Sequence, residues 1–227
     1  MSESGFLALL LDAPMMSWGV SSRFQRRTTD LHPSRSAISG MICAAMGCEK
    51  GSEPEARVLD CLEKTSFAFY AIPRVSPRGD GRHLSIRRME DFHTVSDTLN
   101  AHGKKLANAI LTYRQYLLDA RFAVILDGRT EFLNAVAAAL LNPVWGLWLG
   151  RKSCIPAMPV IRASVRGSEE EALADVGLTP ESAARLSAVR DAESFAAGTD
   201  TVMDVPVNFK TRAFKPRRID RRPAASG

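Results

Sequence analysis

The chain has 227 residues, 45% of them apolar, and a formal charge of +5. That is enough for one large domain or two small ones with a real core, while the charge excess is too modest by itself to name a partner. The make-up of the charge says more: 23 arginines stand against 7 lysines, and a guanidinium forks onto two phosphate oxygens where an ammonium is a point charge. Cys43, Cys48, Cys61 and Cys154 form no Cys-x-x-Cys pair, and His32, His83, His93 and His102 form no pair at helical spacing. Structural zinc is not expected on that spacing; buried reduced thiols are, with no metal and no cofactor. The first residues carry no basic segment followed by a long apolar run. Neither a signal peptide nor a membrane helix is therefore expected, and the chain reads as cytoplasmic with no membrane partner.

Residues 5–11 form a short apolar run closed by Asp12-Ala13-Pro14, the pattern of a buried first strand. Residues 15–31 are mostly irregular and contain Met16-Ser17-Trp18-Gly19 and Arg23-Phe24-Gln25-Arg26-Arg27. Then Pro33-Ser34-Arg35-Ser36 opens a helix in which Ile38, Met41, Ile42 and Ala45 recur on one face and Gly47 supplies a stop. Ser34 or Ser36 is the cap, and a serine-rich helix start bearing Arg35 is a ready anion site. Pro54 suits the first turn of a second helix with Val58, Leu59 and Leu62 as its apolar face. Residues 65–72 have strand character and end at Pro73.

Residues 74–105 change character. Arg74, Arg78, Arg82, Arg87 and Arg88 outnumber Asp80, Glu90 and Asp91, and aliphatics are few. A polar excursion of this length is either functional or a mobile loop. Residues 109–118 and 120–126 read as strands, Asp127-Gly128 as a turn, and Thr130 as the cap of a helix that Asn142-Pro143 ends. Trp145 and Trp148 then precede Gly150-Arg151-Lys152-Ser153-Cys154. All three tryptophans, Trp18 included, read by themselves as core. Residues 160–165 suggest another strand. Residues 167–197 are acidic and alanine-rich, with a helix start at Thr179-Pro180-Glu181. Residues 201–207 suggest an edge strand, where Pro206 needs no ladder donor. A basic run from Lys210 to Arg222 follows, then a tail at 223–227 expected to be disordered. The pattern alone supports an α+β fold.

Gly150-Arg151-Lys152-Ser153 is not a phosphate loop. That motif needs a glycine where Trp145 stands, and Arg151 separates Gly150 from Lys152. Gly79-x-Gly81 lacks a third glycine and a following βαβ unit, and no Gly-x-Ser-x-Gly elbow occurs. The loop does suit an RNA backbone, since two cations, a hydroxyl and backbone amides stand together.

Taken together, the Ser17-Trp18-Gly19 turn, the Ser34-Arg35-Ser36 helix start and Leu149-Gly150-Arg151-Lys152-Ser153-Cys154 resemble the CasD family of type I CRISPR systems, within the RAMP superfamily. The order and spacing match over roughly residues 6–160. The loop and the turn are specific in combination and weak alone. Ser34-Arg35 stands where the family has Thr-Lys, and Ala37 where it has glycine. The resemblance implies a ferredoxin-like, RRM-like core over residues 1–73 and 106–166, a basic thumb at 74–105, and a C-terminal extension at 167–222. It implies a non-catalytic subunit that caps the 5′ handle of the guide RNA (crRNA). It also implies partners: CasC-type backbone and CasA-type large subunits, with target DNA reached through the complex. The expected RNA contacts are Ser17, Trp18, Arg23, Arg26, Arg27, Ser34, Arg35, Ser36, Arg151, Lys152, Ser153 and Cys154, with Arg87 and Arg88 on the thumb. The rival expectation is a metal-independent endoribonuclease, as in type I-C relatives, which cut precursor RNA with a tyrosine, lysine and histidine set. His93, Tyr113, Tyr116, Lys104 and Lys105 supply those types.

Overall fold

The computed structural model describes residues 3–19, 25–100, 102–194 and 196–225. Strand β1 (Ser4–Asp12) is buried on both sides: Leu7, Leu9 and Leu11 pack into one apolar cluster, Ala8 and Leu10 into another. A strand covered on both faces needs apolar residues at every position, hence the unbroken run. The two-residue strands β2 (Met15–Met16) and β3 (Arg26–Arg27) follow. Helix α1 (Arg35–Ala45) starts where the Ser34 hydroxyl accepts from the Ala37 amide. It ends at Gly47, in the left-handed region at φ 70°. There Gly47 N–H donates to Ala44 O at 3.2 Å and Cys48 N–H to Cys43 O at 2.9 Å, the paired bonds of a Schellman end. Helix α2 (Glu53–Glu63) is capped by Ser52 and carries Pro54 in its first turn.

After β4 (Ser66–Ala71), the excursion holds β5 (Arg74–Val75), β6 (His83–Leu84), β7 (Arg87–Val95) and β8 (Ile110–Leu118). It is not a loop. β7 and β8 pair antiparallel from Arg87–Leu118 to Val95–Ile110. The segment expected at 109–118 is thus the return strand of a hairpin, and the excursion runs beyond residue 105. On its other edge β8 takes β2 at Leu117–Leu118 and, in parallel, β3 at Tyr113–Arg114.

Strand β9 (Arg121–Arg129) leads into α3 (Thr130–Leu141). Thr130 is not its cap; Arg129 occupies that place with no side-chain bond, and the Thr130 amide donates to Glu3 O instead. The acidic stretch holds α4 (Glu169–Asp175) and α5 (Pro180–Arg185), with Thr179 and Ser182 closing a capping box. Then β10 (Ala188–Asp191), β11 (Asp200–Asn208) and β12 (Ala213–Arg222) complete the chain's strands.

The main sheet is antiparallel in the order β1-β9-β4-β10-β12-β11. Helices α1 to α3 cover one face, with Ile38, Ile42, Leu62, Leu133 and Val136 over Leu9, Phe67, Phe69 and Val124. The opposite face takes α4 and α5 through Ala172, Leu173 and Ala183 over Leu10, Tyr70 and Ile125. β11 is an edge strand and holds Pro206, as expected. Two expectations change. Residues 160–165 are not a strand but touch β1 through isolated bridges at Leu9–Ile161 and Phe6–Arg166. The basic run before the tail is β12, which lies inside the sheet between β10 and β11. No helix among the described residues is long and apolar enough to cross a membrane.

Candidate functional site

Three distant stretches converge on a cleft of about 310 Å³: the Ser17–Gly19 turn with Arg27, the start of α1 at Ser34 and Ser36, and Gly150 with Arg151. Phe209 and Phe214, at the tip of the β11–β12 hairpin, close one side, their rings edge to face at 6.5 Å. Gly150 makes the convergence possible. Its φ is 109°, and a Cβ there would lie 1.9 Å from the Ser17 carbonyl oxygen. Only glycine has both the conformation and the room. The Ser17 amide in turn donates to Leu149 O at 3.1 Å, so turn and loop are stitched backbone to backbone.

Arg151 pins this junction from within. Its guanidinium donates to Gln115 O at 2.8 Å and Arg27 O at 2.9 Å and lies over the Tyr116 ring at 4.6 Å. Both terminal nitrogens of its guanidinium are thus engaged by the protein. Ser17 is also committed, its hydroxyl donating to Gln115 O at 3.2 Å. Lys152 and Ser153 are exposed, and the Lys152 ammonium sits 5.7 Å from the Trp148 ring centre. Arg26 and Arg27 are exposed, Arg26 lying over Tyr113. Arg23 lies outside the described residues.

Three expected contacts are core residues instead. Trp18 is buried edge-on against Phe122 at 6.4 Å. Cys154 is fully buried, its amide and carbonyl closing the loop with Arg151 and Leu149, and burial raises its thiol pKa. Arg35 is the main correction. Its guanidinium pairs with Asp191 at 2.6 Å, donates to the carbonyls of Leu62, Glu63 and Thr65, and lies over Phe67 at 4.4 Å. Its amide donates to the Asp204 carboxylate at 2.7 Å. The anion that a helix start attracts is present as a side chain of the same protein. Arg217 joins through Asp204 at 2.7 Å and through Asp191, making a buried group of two arginines and two aspartates. Burial lowers the Arg35 pKa despite Asp191; for Arg217, burial also lowers it, but Asp204 and Asp191 outweigh that and the pKa rises.

The structure also overturns the core reading of two tryptophans. Trp145 is 42% exposed and Trp148 37%. With Met41, Val144 and Phe209 they line a mainly apolar groove of about 740 Å³ beside the cleft. Leu141 through Gly146 are exposed along the descent from α3.

On the β7–β8 hairpin Phe92 faces Tyr113 across the strands, and His93 faces Thr112. Side chains alternate along a strand, so His93 and Tyr113 project from opposite faces. Tyr116 shares the His93 face but is buried beneath Arg151, four positions along β8 from Thr112. His93 pairs with Asp91 at 2.7 Å, Lys105 with Asp97 at 2.5 Å, and Arg87 with Asp119 at 2.6 Å. Arg88 is exposed and forms no ion pair among the described residues. Nor do those residues contain a group of His, Cys, Asp or Glu able to hold a metal ion.

The family model for Cas5d, described as CRISPR-associated protein (Cas_Cas5), matches residues 6–222. The Cascade subunit CasD of Escherichia coli (strain K12) is 29% identical over 170 residues, covering 73% of this chain and 74% of that protein. Among solved structures, a chain of a CRISPR RNA-guided surveillance complex superposes with a TM-score of 0.71 at 26% identity, over 97% of this chain and 90% of that one. A crystal structure of a Cas protein follows the same fold with a TM-score of 0.61 at 23% identity, over 97% and 98%. With the match running nearly end to end, the chain belongs to the Cas5 family of CRISPR-associated proteins.

Proposed function

We propose that this protein is a non-catalytic subunit of a type I CRISPR surveillance complex that holds the 5′ handle of the guide RNA in the Ser17–Ser36–Arg151 cleft. The observation that carries this reading is the convergence itself: serine hydroxyls, the exposed Arg27, the half-buried Arg151 and a glycine-dependent backbone turn from three distant stretches share one cleft, with Lys152 and Ser153 next in the chain. Arg26, Arg27, Ser36, Lys152 and Ser153 are the accessible contacts. Arg151 and Ser17 act by holding the cleft's shape. Phosphate contacts of this kind fix position and register.

The sheet order supports a ferredoxin-like, RRM-like (RAMP) core. β1, β9 and β4 stand as first, third and second strands, residues 157–166 lie along the free edge of β1, and α1 and α3 share one face. In this reading β5 to β8 form the thumb, with the exposed Arg88 beside the neighbouring CasC-type subunit. A CasA-type large subunit and target DNA complete the assembly.

The division of His93 and Tyr113 between opposite hairpin faces favours binding over cleavage. The test is metal-free incubation of the full-length chain with its own repeat RNA, read for binding and for cleavage in one preparation. Expected is salt-sensitive binding with intact RNA. Site-specific cutting abolished by His93→Ala or Tyr113→Phe overturns the non-catalytic reading and establishes the endoribonuclease.

A further inference from the structure

We infer that the groove beside the cleft is a base pocket, in which Trp145 and Trp148 receive one unpaired nucleobase of the RNA whose phosphates lie in the cleft. The inference rests on the RNA-binding reading above and extends it to ground that the sequence had assigned to the core.

Four observations carry it. The groove and the cleft are contiguous, with Ser36, Ala37, Gly150 and Phe209 lining both. A nucleotide is itself such a pair, a charged phosphate and a flat apolar base joined by a sugar, so adjoining polar and apolar recesses suit its two ends. Next, two indoles are exposed within three residues of each other. Aromatic side chains offer a surface on which any base can stack.

The third observation is charge. The exposed ions at the groove are Lys50 and Lys152, the latter already over Trp148. Its one acid, Glu55, is 2% exposed and turned inward, accepting from the amides of Gly51 at 2.9 Å and Phe209 at 3.3 Å. The mouth is therefore positive, which suits the phosphate end of a nucleotide. Finally, the walls are preset. The Val144 amide donates to Ala45 O at 2.9 Å, and a Cβ on Gly47 would come within 3.0 Å of the Val144 side chain, so the descent from α3 is fastened closely to the end of α1. Opening of about 740 Å³ falls within the range of small-molecule sites.

The experiment uses the full-length chain and its own repeat RNA, with single abasic nucleotides stepped through the 5′ repeat-derived segment. Affinity is read by anisotropy at one fixed salt concentration. One abasic position should weaken the wild-type protein about tenfold, as expected for a lost base–aromatic stack. Trp148→Ala or Trp145→Ala should bind intact RNA with about the same tenfold loss, and lose nothing further at that position. Both variants should melt near the wild-type temperature, because both rings are exposed. If every abasic position costs the same in the wild type and in both variants, the base pocket is overturned while RNA binding stands. If the variants bind every RNA as the wild type does but fail to enter the assembled complex, the groove takes a protein side chain and the inference is overturned in favour of that partner. A wild-type chain that binds no RNA at all, alone or assembled, overturns the RNA reading itself.

Discussion

The molecule uses arginine in two opposite ways. Under β10 to β12, Arg35 and Arg217 are buried, matched by Asp191 and Asp204, and stacked on Phe67 and Phe69. Around the cleft and along the β7–β8 hairpin, Arg26, Arg27 and Arg88 stand in solvent. A buried charge is tolerated only with its partners in place. An exposed one contributes little to stability and remains available to a ligand. Counting arginines therefore cannot separate framework from interface; what separates them is whether a carboxylate from another strand arrives to meet the guanidinium.

The contrast breaks most visibly at its buried end. Asp204→Ala strips Arg217 of its bidentate partner and the Arg35 amide of its acceptor. Loss of about 3–5 kcal/mol of stability is expected, measured by denaturant titration. A loss below about 1 kcal/mol would place the cluster with ordinary surface pairs. Gly150→Ala comes next. With its Cβ on the Ser17 carbonyl and a left-handed backbone, it should lose about 2–3 kcal/mol. RNA affinity should fall with it, because turn and loop can no longer meet. At the exposed end, Arg27→Ala should leave the melting temperature nearly unchanged and weaken RNA binding by about 1.5 kcal/mol, with a shallower salt dependence. Arg35→Ala should do the reverse, acting on stability. Equal effects of the two on both readouts would erase the distinction.

The smallest expected effect involves His32, buried against Phe122 with its Nε2 3.3 Å from the Ser187 hydroxyl. Burial lowers its pKa below 6.5, against the raising effects of Ser187 and Asp30. Below pH 6.5 the unfolded chain takes up a proton that the folded chain resists. The stabilisation is thus complete well above 6.5 and declines as pH falls, by at most about 1.4 kcal/mol per pH unit. His32→Asn should flatten that part of the stability profile, read from melts at pH 7.5, 6.5 and 5.5.

Local rules carried the sequence reading a long way. Apolar runs and caps located β1, α1, α2, β4, β9 and the edge strand with Pro206, because each is decided within a few residues. The Gly150 loop was legible as a turn, though not the Ser17 carbonyl that makes its glycine necessary. What could not be read depends on pairing at long range. Residues 110–118 look like any half-buried strand, and nothing nearby says that their partner is β7. Arg35 looks like an anion contact until Asp191 and Asp204 come from the far end of the chain. Trp145 and Trp148 resemble core residues because burial is the usual fate of an indole; their exposure follows from the path of the chain after Pro143, which no periodicity records.

The Arg35 arrangement also bears on how the protein is made. Helix α1 begins at residue 35, but the carboxylates that neutralise and cap its start lie 156 and 169 positions later. A nascent chain that has emerged only as far as β9 holds a cation among Leu62, Thr65 and Phe67 with no anion to meet it. The first half is then best left loosely closed until β10 to β12 slide in beside β4, a long-range step of the slow kind. The cleft shares the start of α1 and takes its far wall from the β11–β12 tip. On this order of events, the cleft proposed for RNA is complete only after β10 to β12 have left the ribosome, and a chain cut short by forty residues, at 187, is born without it.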